Sequence, residues 1–127
     1  MDKDKSNIGY SLVNNVFTGE VAKFVIEIDD DGIIEKSKST VIGSYETQKI
    51  FDLASTWVIG FAISDIVLAD RYIIGNELMI KNDQMFYADF VEDAIKASVT
   101  NYIDKQLALM DENDEEAVTK ILTGRKL

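Results

Sequence analysis

The chain contains 127 residues, of which 46% are hydrophobic and 28% are charged, values typical of a single globular domain. Its formal net charge of −10 argues against binding to nucleic acid or to anionic membranes, since both require a basic surface. Cysteine and histidine are both absent, which excludes thiol nucleophiles, thiolate metal sites and the commonest general base.

No targeting or membrane segment is predicted. The first ten residues, MDKDKSNIGY, are polar and lack the apolar core of a signal peptide. The longest apolar run, 57–63, is too short for a transmembrane helix. We therefore predict one domain over residues 1–127, with residues 1–7 flexible, in a cytoplasmic protein without disulfides.

The N-terminal third predicts a β-hairpin after an irregular strand at 11–17. Residues 21–28 alternate in polarity, as a half-buried strand does. Asp29, Asp30, Asp31 and Gly32 then form the turn, because aspartate and glycine tolerate the positive φ of a tight hairpin. The second strand, ending at residue 42, is polar and contains lysines, which suits an exposed edge strand.

Ser44 predicts the start of a helix at about 45–60, since serine is a favourable N-cap. Apolar residues then recur at helical spacing on one side: Ile50, Leu53, Ala54, Trp57, Val58 and Phe61. Polar residues occupy the other side of this helix, but from Trp57 onward that side also becomes apolar. The pattern at 61–69 fits a buried helix and a buried strand equally well.

Residues 71–88 predict a meander of three short strands, because Gly75-Asn76 is typical of a two-residue hairpin turn. Asp89 and Glu92 have the capping-box spacing that starts a helix at 90–110. A short C-terminal helix is predicted at about 115–123, ending before Gly124.

Together these elements predict an α+β fold. Its antiparallel sheet has four to six strands, supplied by the hairpin 21–42 and the meander 71–88. The helices at 45–60 and 90–110, together with the short C-terminal helix, pack against that sheet.

None of the acidic motifs predicts catalysis or metal binding. The sequence DDDG at 29–32 has part of a calcium-loop pattern, but Lys38 stands where a bidentate glutamate is required, so a hairpin turn explains it better. Asp65 and Asp70 interrupt the apolar segment and could in principle form the carboxylate pair of a glycoside hydrolase. Aspartates at turns are commoner, so these two residues do not predict catalysis. We expect no enzymatic activity, no cofactor and no metal.

Two acidic clusters and one aromatic pair are the candidate partner-binding residues. Aromatic anchors near carboxylates are typical of surfaces that recognise a basic protein. The alternative is that the acidic clusters only keep the protein soluble. The candidates are Asp29, Asp30 and Asp31 in the hairpin turn, Phe86 and Tyr87 on the last strand of the meander, and Asp111, Glu112, Asp114, Glu115 and Glu116 near the C-terminus.

Small size, acidity and the lack of catalytic residue types favour a protein-binding module that neutralises a basic protein. A bacterial immunity protein or a phage anti-defence protein has this character. One alternative is a homo-oligomeric component of a virion or secretion apparatus, which the apolar segment 57–69 favours. Another is a chaperone-like dimer that binds extended client segments along its sheet edge.

Overall fold

The computed structural model describes residues 6–110 of the chain. They form an antiparallel sheet of three strands, in the order β1-β2-β3, followed by four α-helices. The strands are β1 (Ile8–Asn14), β2 (Val21–Ile28) and β3 (Ile34–Ile42); the helices are α1 (Tyr45–Trp57), α2 (Ile63–Ile66), α3 (Arg71–Glu77) and α4 (Met85–Ala108), with a 3₁₀ turn at Asn82–Gln84. The α+β class is confirmed, whereas four to six strands are more than the described residues form.

The hairpin of β2 and β3 is confirmed, with β3 at an edge of the sheet. Its turn is closed by the Asp29 carboxylate, which accepts hydrogen bonds from the backbone N–H groups of Asp31 and Ile33. Gly32 has φ +80°, a conformation that favours glycine. The aspartates and glycine at 29–32 therefore make the turn, as expected from their sequence.

One face of the sheet is covered by helices, and the other faces solvent. α4 packs on β1 and β2, while α1 packs on β3. The Phe51 ring of α1 lies at the centre of the core, with its centroid 6.3 Å from that of Phe24 on β2 and 4.9 Å from that of Phe90 on α4. The sheet, α1 and α4 thus meet at one aromatic group.

α4 lies unusually close to β1. A Cβ atom built on Gly9 would be 2.2 Å from the carbonyl oxygen of Ser98, so only glycine fits there. The Ser11 hydroxyl donates to the Ala94 carbonyl at 2.7 Å, and the Tyr10 N–H donates to the Asn101 side chain at 3.0 Å. These bonds attach β1 to α4 and occupy part of the outer edge of β1.

The predicted meander at 71–88 is wrong. Asp70 starts helix α3 there, because its carboxylate accepts hydrogen bonds from the N–H groups of Tyr72 and Ile73. Ile74 and Leu78, one helical turn apart, are buried in the core. Gly75 lies within the helix beside the Met85 side chain and does not form a hairpin turn.

The other helix boundaries also differ from prediction. α1 begins after Ser44 as expected but ends at Trp57, and the ambiguous stretch 61–69 contains the short helix α2. α4 begins at Met85 and not after Asp89. The C-terminal helix predicted at 115–123 lies outside the described residues. No helix within 6–110 is long and apolar enough to cross a membrane.

Candidate functional site: a carboxylate clasp between a turn and a helix

The register of the sheet brings the β1–β2 turn beside the start of α1. Asn14 pairs with Val21, which pairs with Ile42 near the end of β3. The turn at 15–20 therefore lies next to Gly43 and Ser44, the two residues that lead from β3 into α1. Segments separated by more than twenty positions in the sequence meet at this end of the sheet.

The carboxylate of Glu20 joins these two segments. Its Oε1 atom accepts hydrogen bonds from the Thr47 hydroxyl at 2.7 Å and the Thr18 hydroxyl at 3.0 Å. Its Oε2 atom accepts a hydrogen bond from the backbone N–H of Ser44. The Ser44 hydroxyl, as the N-cap of α1, accepts from the Thr47 N–H at 3.2 Å. We call Thr18, Glu20, Ser44 and Thr47 the Glu20 clasp.

Hydrogen bonding keeps the Glu20 carboxylate ionised. Burial alone would raise its pKa, but the hydrogen bonds from Ser44, Thr47 and Thr18 together outweigh burial and lower the pKa below its ordinary value. The negative charge also lies at the N-terminus of α1, where the helix dipole stabilises an anion. The helix N-terminus is therefore already supplied with an anion from the chain itself.

Gly43 provides the space for the clasp. A Cβ atom at this position would lie 2.2 Å from Oε2 and 2.6 Å from Cδ of Glu20. A larger residue would push the carboxylate away from the Ser44 N–H. Glycine at this position therefore allows the Glu20 side chain to approach the Ser44 N–H.

Exposed apolar side chains flank the clasp on both segments. In the turn, Val16 and Phe17 are 82% and 79% exposed; beside α1, Ile42 and Tyr45 are 75% and 79% exposed. Several large apolar groups left in water at one end of a protein are characteristic of an interaction surface. This end of the molecule therefore combines a rigid polar centre with an apolar rim.

The clasp offers oxygen donors only. The whole chain lacks cysteine and histidine, and residues 6–110 contain no group of three or more acidic side chains placed to hold a metal ion. The single carboxylate already accepts three hydrogen bonds from the chain. The arrangement is suited to fixing the turn onto the helix and presents neither a thiolate nor an imidazole to a metal.

The residues predicted to bind a partner lie on separate elements. Asp29, Asp30 and Asp31 form the β2–β3 turn, at the end of β2 opposite Glu20. Burial, together with the charges of Asp29 and Asp30, raises the pKa of Tyr102 on α4. The rings of Phe86 and Tyr87 lie 4.4 Å apart in the first turn of α4 and not on a strand. The acidic residues at 111–116 lie outside the described part of the chain.

Sequence patterns do not single out Glu20 or Thr47. Ser44 is recognisable as an N-cap, but the α1 partners of Glu20, Ser44 and Thr47, are 24 and 27 positions away, and no local period connects them. The only sequence clue is the Gly43-Ser44 pair before the helix, which indicates a tight entry into α1 without identifying the carboxylate that meets it.

Comparison with known proteins finds relatives that are iron-sulfur cluster assembly scaffold proteins. The chain is 31% identical over 106 residues to the iron-sulfur cluster assembly scaffold protein IscU of Haemophilus influenzae, covering 84% of each chain. It is 31% identical over 106 residues to the protein of that name from Rickettsia prowazekii (84% of this chain, 81% of the relative). It is 28% identical over 107 residues to the one from Escherichia coli (84% of each). No protein-family model matches the chain.

These relatives contradict the prediction of an inhibitor, immunity protein or phage anti-defence protein, which is wrong. None of the three carries a name that refers to a virion, a secretion apparatus or a chaperone either. The prediction failed because acidity and missing catalytic residue types are shared by many kinds of protein, and they do not distinguish a neutralising module from a scaffold.

Proposed function

The chain belongs to the family of IscU iron-sulfur cluster assembly scaffold proteins, and we propose that it takes part in cluster assembly as a protein-binding member that holds no cluster itself. The observation that carries this proposal is the absence of cysteine and histidine from all 127 residues.

The donor atoms of this chain do not fit an iron–sulfur cluster. Such clusters are held by cysteine thiolates, and in one class two histidines replace two of them. The Glu20 clasp supplies one carboxylate, which already accepts hydrogen bonds from Ser44, Thr47 and Thr18. A cluster that is cargo for a scaffold would therefore find neither a thiolate nor an imidazole ligand on this chain.

Without cysteine or histidine ligands for a cluster, the proposed function depends on the surface of the protein. The apolar rim of Val16, Phe17, Ile42 and Tyr45 is exposed, and the clasp beneath it holds the two segments in fixed positions. A preorganised apolar surface loses little conformational entropy on binding, which favours a protein partner. The net charge of −10 would attract and orient a basic partner. We also propose a cytoplasmic location and no catalytic activity, in keeping with the absence of cysteine and histidine.

Anaerobic reconstitution tests the cluster-free part of the proposal. The purified chain and the Haemophilus influenzae IscU protein are incubated separately with ferrous iron, sulfide and a thiol reductant, and then desalted. We expect the iron and sulfide retained by this chain to be at background level, without visible cluster absorption. Stoichiometric iron and sulfide on this chain would overturn the proposal.

Direct binding tests the assembly part. Isothermal titration calorimetry with purified cluster assembly proteins from the same organism should give saturable binding to at least one of them. A double substitution, Phe17→Ser with Tyr45→Ser, should weaken this binding. The matched control is Leu12→Ser, which removes an apolar side chain that is 68% exposed on the solvent face of β1. No binding to any assembly protein would refute a role in assembly.

A further inference from the structure

An apolar groove opens beyond the C-terminal end of α1. Its apolar lining includes the paired rings of Trp57 and Phe61, Leu68 after α2, and Ile73 on α3. The groove has a volume of about 290 Å³, and Asp65 and Glu77 are its ionisable lining residues. It is separate from the Glu20 clasp, because the 13 residues of α1 place about 20 Å between the two ends of that helix.

Its apolar walls are ordered and accessible. The Trp57 and Phe61 ring centroids lie 5.3 Å apart, so each ring limits the movement of the other. Leu68 is 75% exposed at the rim, and Ile73 is also exposed. A tryptophan in a groove with an apolar rim is the type of residue that dominates binding energy at protein interfaces.

The two ionisable residues that line the groove are both acidic, and neither forms an ion pair with another residue in 6–110. Within residues 6–110, Arg71 forms its ion pair with Asp89 at 2.8 Å, and Lys96 forms its own with Glu92 at 2.7 Å. Among these residues, neither Asp65 nor Glu77 has a cation within ion-pair distance. Both carboxylates are exposed, so an approaching cationic side chain can reach them.

We propose that this groove binds a basic amphipathic helix of a protein partner. An apolar side chain of that helix would lie between Trp57 and Ile73, and flanking lysines or arginines would face Asp65 and Glu77. A helix is favoured over an added strand because the walls come from helices and loops, and the lining offers no sheet edge to pair with.

Other occupants fit the groove less well. A second copy of the chain would bring another molecule of net charge −10 to the two carboxylates, and like charges in an interface are repulsive. A small organic cofactor usually fills a pocket of roughly 300–1,000 Å³. The volume of about 290 Å³ lies at the lower limit of that range and is adequate for one or two apolar side chains.

The inference rests on the proposed function only in taking the partner to be a protein. Trp57 is the only tryptophan in the chain, so its emission reports directly on the groove. The probe is a synthetic helix of about 15 residues, long enough for measurable helicity, with leucines at i, i+3 and i+7 flanked by lysines and without aromatic residues. We expect a saturable change in Trp57 emission, with an affinity that falls as salt is added.

Variants identify the contacts. Leu68→Ser should weaken binding by about tenfold, since it removes apolar area that the peptide covers. The double substitution Asp65→Asn and Glu77→Gln should weaken it by roughly fivefold at low salt, as expected for two exposed ion pairs. Leu12→Ser is the matched control: Leu12 is 68% exposed on the solvent face of the sheet, and its loss should leave binding unchanged. Circular dichroism establishes that each variant is folded.

Three results would overturn the proposal. The first is the lack of a saturable change with the basic helix. The second is equal affinity for a helix in which glutamates replace the lysines, which would show that charge plays no part. The third is self-association measured by sedimentation and abolished by Leu68→Ser, which would make a second copy the occupant. The two proposals fail independently. If the groove does not bind the peptide, the outcome of the anaerobic reconstitution is unaffected. If reconstitution yields a cluster, the outcome of the peptide titration is unaffected.

Discussion

Replacing Glu20 by glutamine tests whether the clasp stabilises the fold through a charged carboxylate. The change keeps the size of the side chain and one oxygen acceptor, but it turns the second oxygen into an NH₂ donor. If the remaining oxygen accepts from Thr47 and Thr18, the new NH₂ faces the N–H of Ser44. Two donors then oppose each other, and α1 loses the anion at its N-terminus.

The expected loss is about 2 kcal/mol of unfolding free energy. A hydrogen bond to a charged group contributes about 1.5–3 kcal/mol, and removing an anion from a helix N-terminus costs a further 0.3–1 kcal/mol or so. Glutamine retains part of the network and Glu20 is partly exposed, so the result should lie towards the lower end of the sum. Urea unfolding at pH 7, followed by Trp57 emission, measures it as a shift in midpoint at constant slope.

The stability contributed by Glu20 should depend on pH. The folded state lowers the pKa of Glu20, so its stabilisation is fully present above the ordinary glutamate pKa of 4.5 and is lost as the pH falls through the lower, folded-state value. The difference between the parent chain and Glu20→Gln should therefore shrink below pH 4.5.

The matched control is Glu27→Gln, on the solvent face of β2, which should change stability by less than about 0.5 kcal/mol. A loss for Glu20→Gln no larger than that of this control would refute the reasoning, as would a difference that stays constant on acidification.

Three further substitutions test the packing. Gly9→Ala forces a Cβ atom onto the carbonyl of Ser98 and should lower the unfolding free energy by about 3 kcal/mol, measured by urea titration; an unchanged midpoint would show that α4 does not press on β1. Phe51→Ala removes a fully buried ring from the centre of the core and should cost about 3–5 kcal/mol, or prevent folding altogether, as seen by circular dichroism. Asp70→Ala removes the N-cap of α3 and should cost about 1 kcal/mol in urea unfolding, with Asp83→Ala in the neighbouring 3₁₀ turn as a control of small effect.

The parts of the fold that follow from local patterns are predictable from the sequence. The alternation at 21–28, the aspartates and glycine of the turn and the N-cap at Ser44 all depend on residues a few positions apart, and each is found where it was expected. The segment 71–88 fails because Gly75-Asn76 is typical of a hairpin turn in isolation. In the folded chain the Asp70 cap and the burial of Ile74 and Leu78 favour a helix, so tertiary packing overrides the local preference.

The candidate site and the groove are not predictable in the same way. Glu20 meets Ser44 and Thr47 only after β1, β2 and β3 have paired in register. The groove needs the end of α1 to meet α3, although Trp57 and Ile73 are far apart in the sequence. The amino-acid composition shows that thiolate and imidazole ligands are absent. It does not reveal what the surface of the protein binds.

The absence of cysteine and histidine is compatible with a scaffold-family sequence, because the fold depends on other residues. The sheet and helices are held by the core around Phe51, which needs no polar ligand. The turn at 15–20 is held to α1 by the carboxylate of Glu20, so this end of the sheet has its own anchor and does not require a bound ion. Both the core and this anchor are made of the chain's own residues, while the apolar rim near Phe17 and the groove beside Trp57 are exposed. Because the chain has no cysteine or histidine, these two surfaces at opposite ends of α1 are the places at which the proposed role in cluster assembly can be tested.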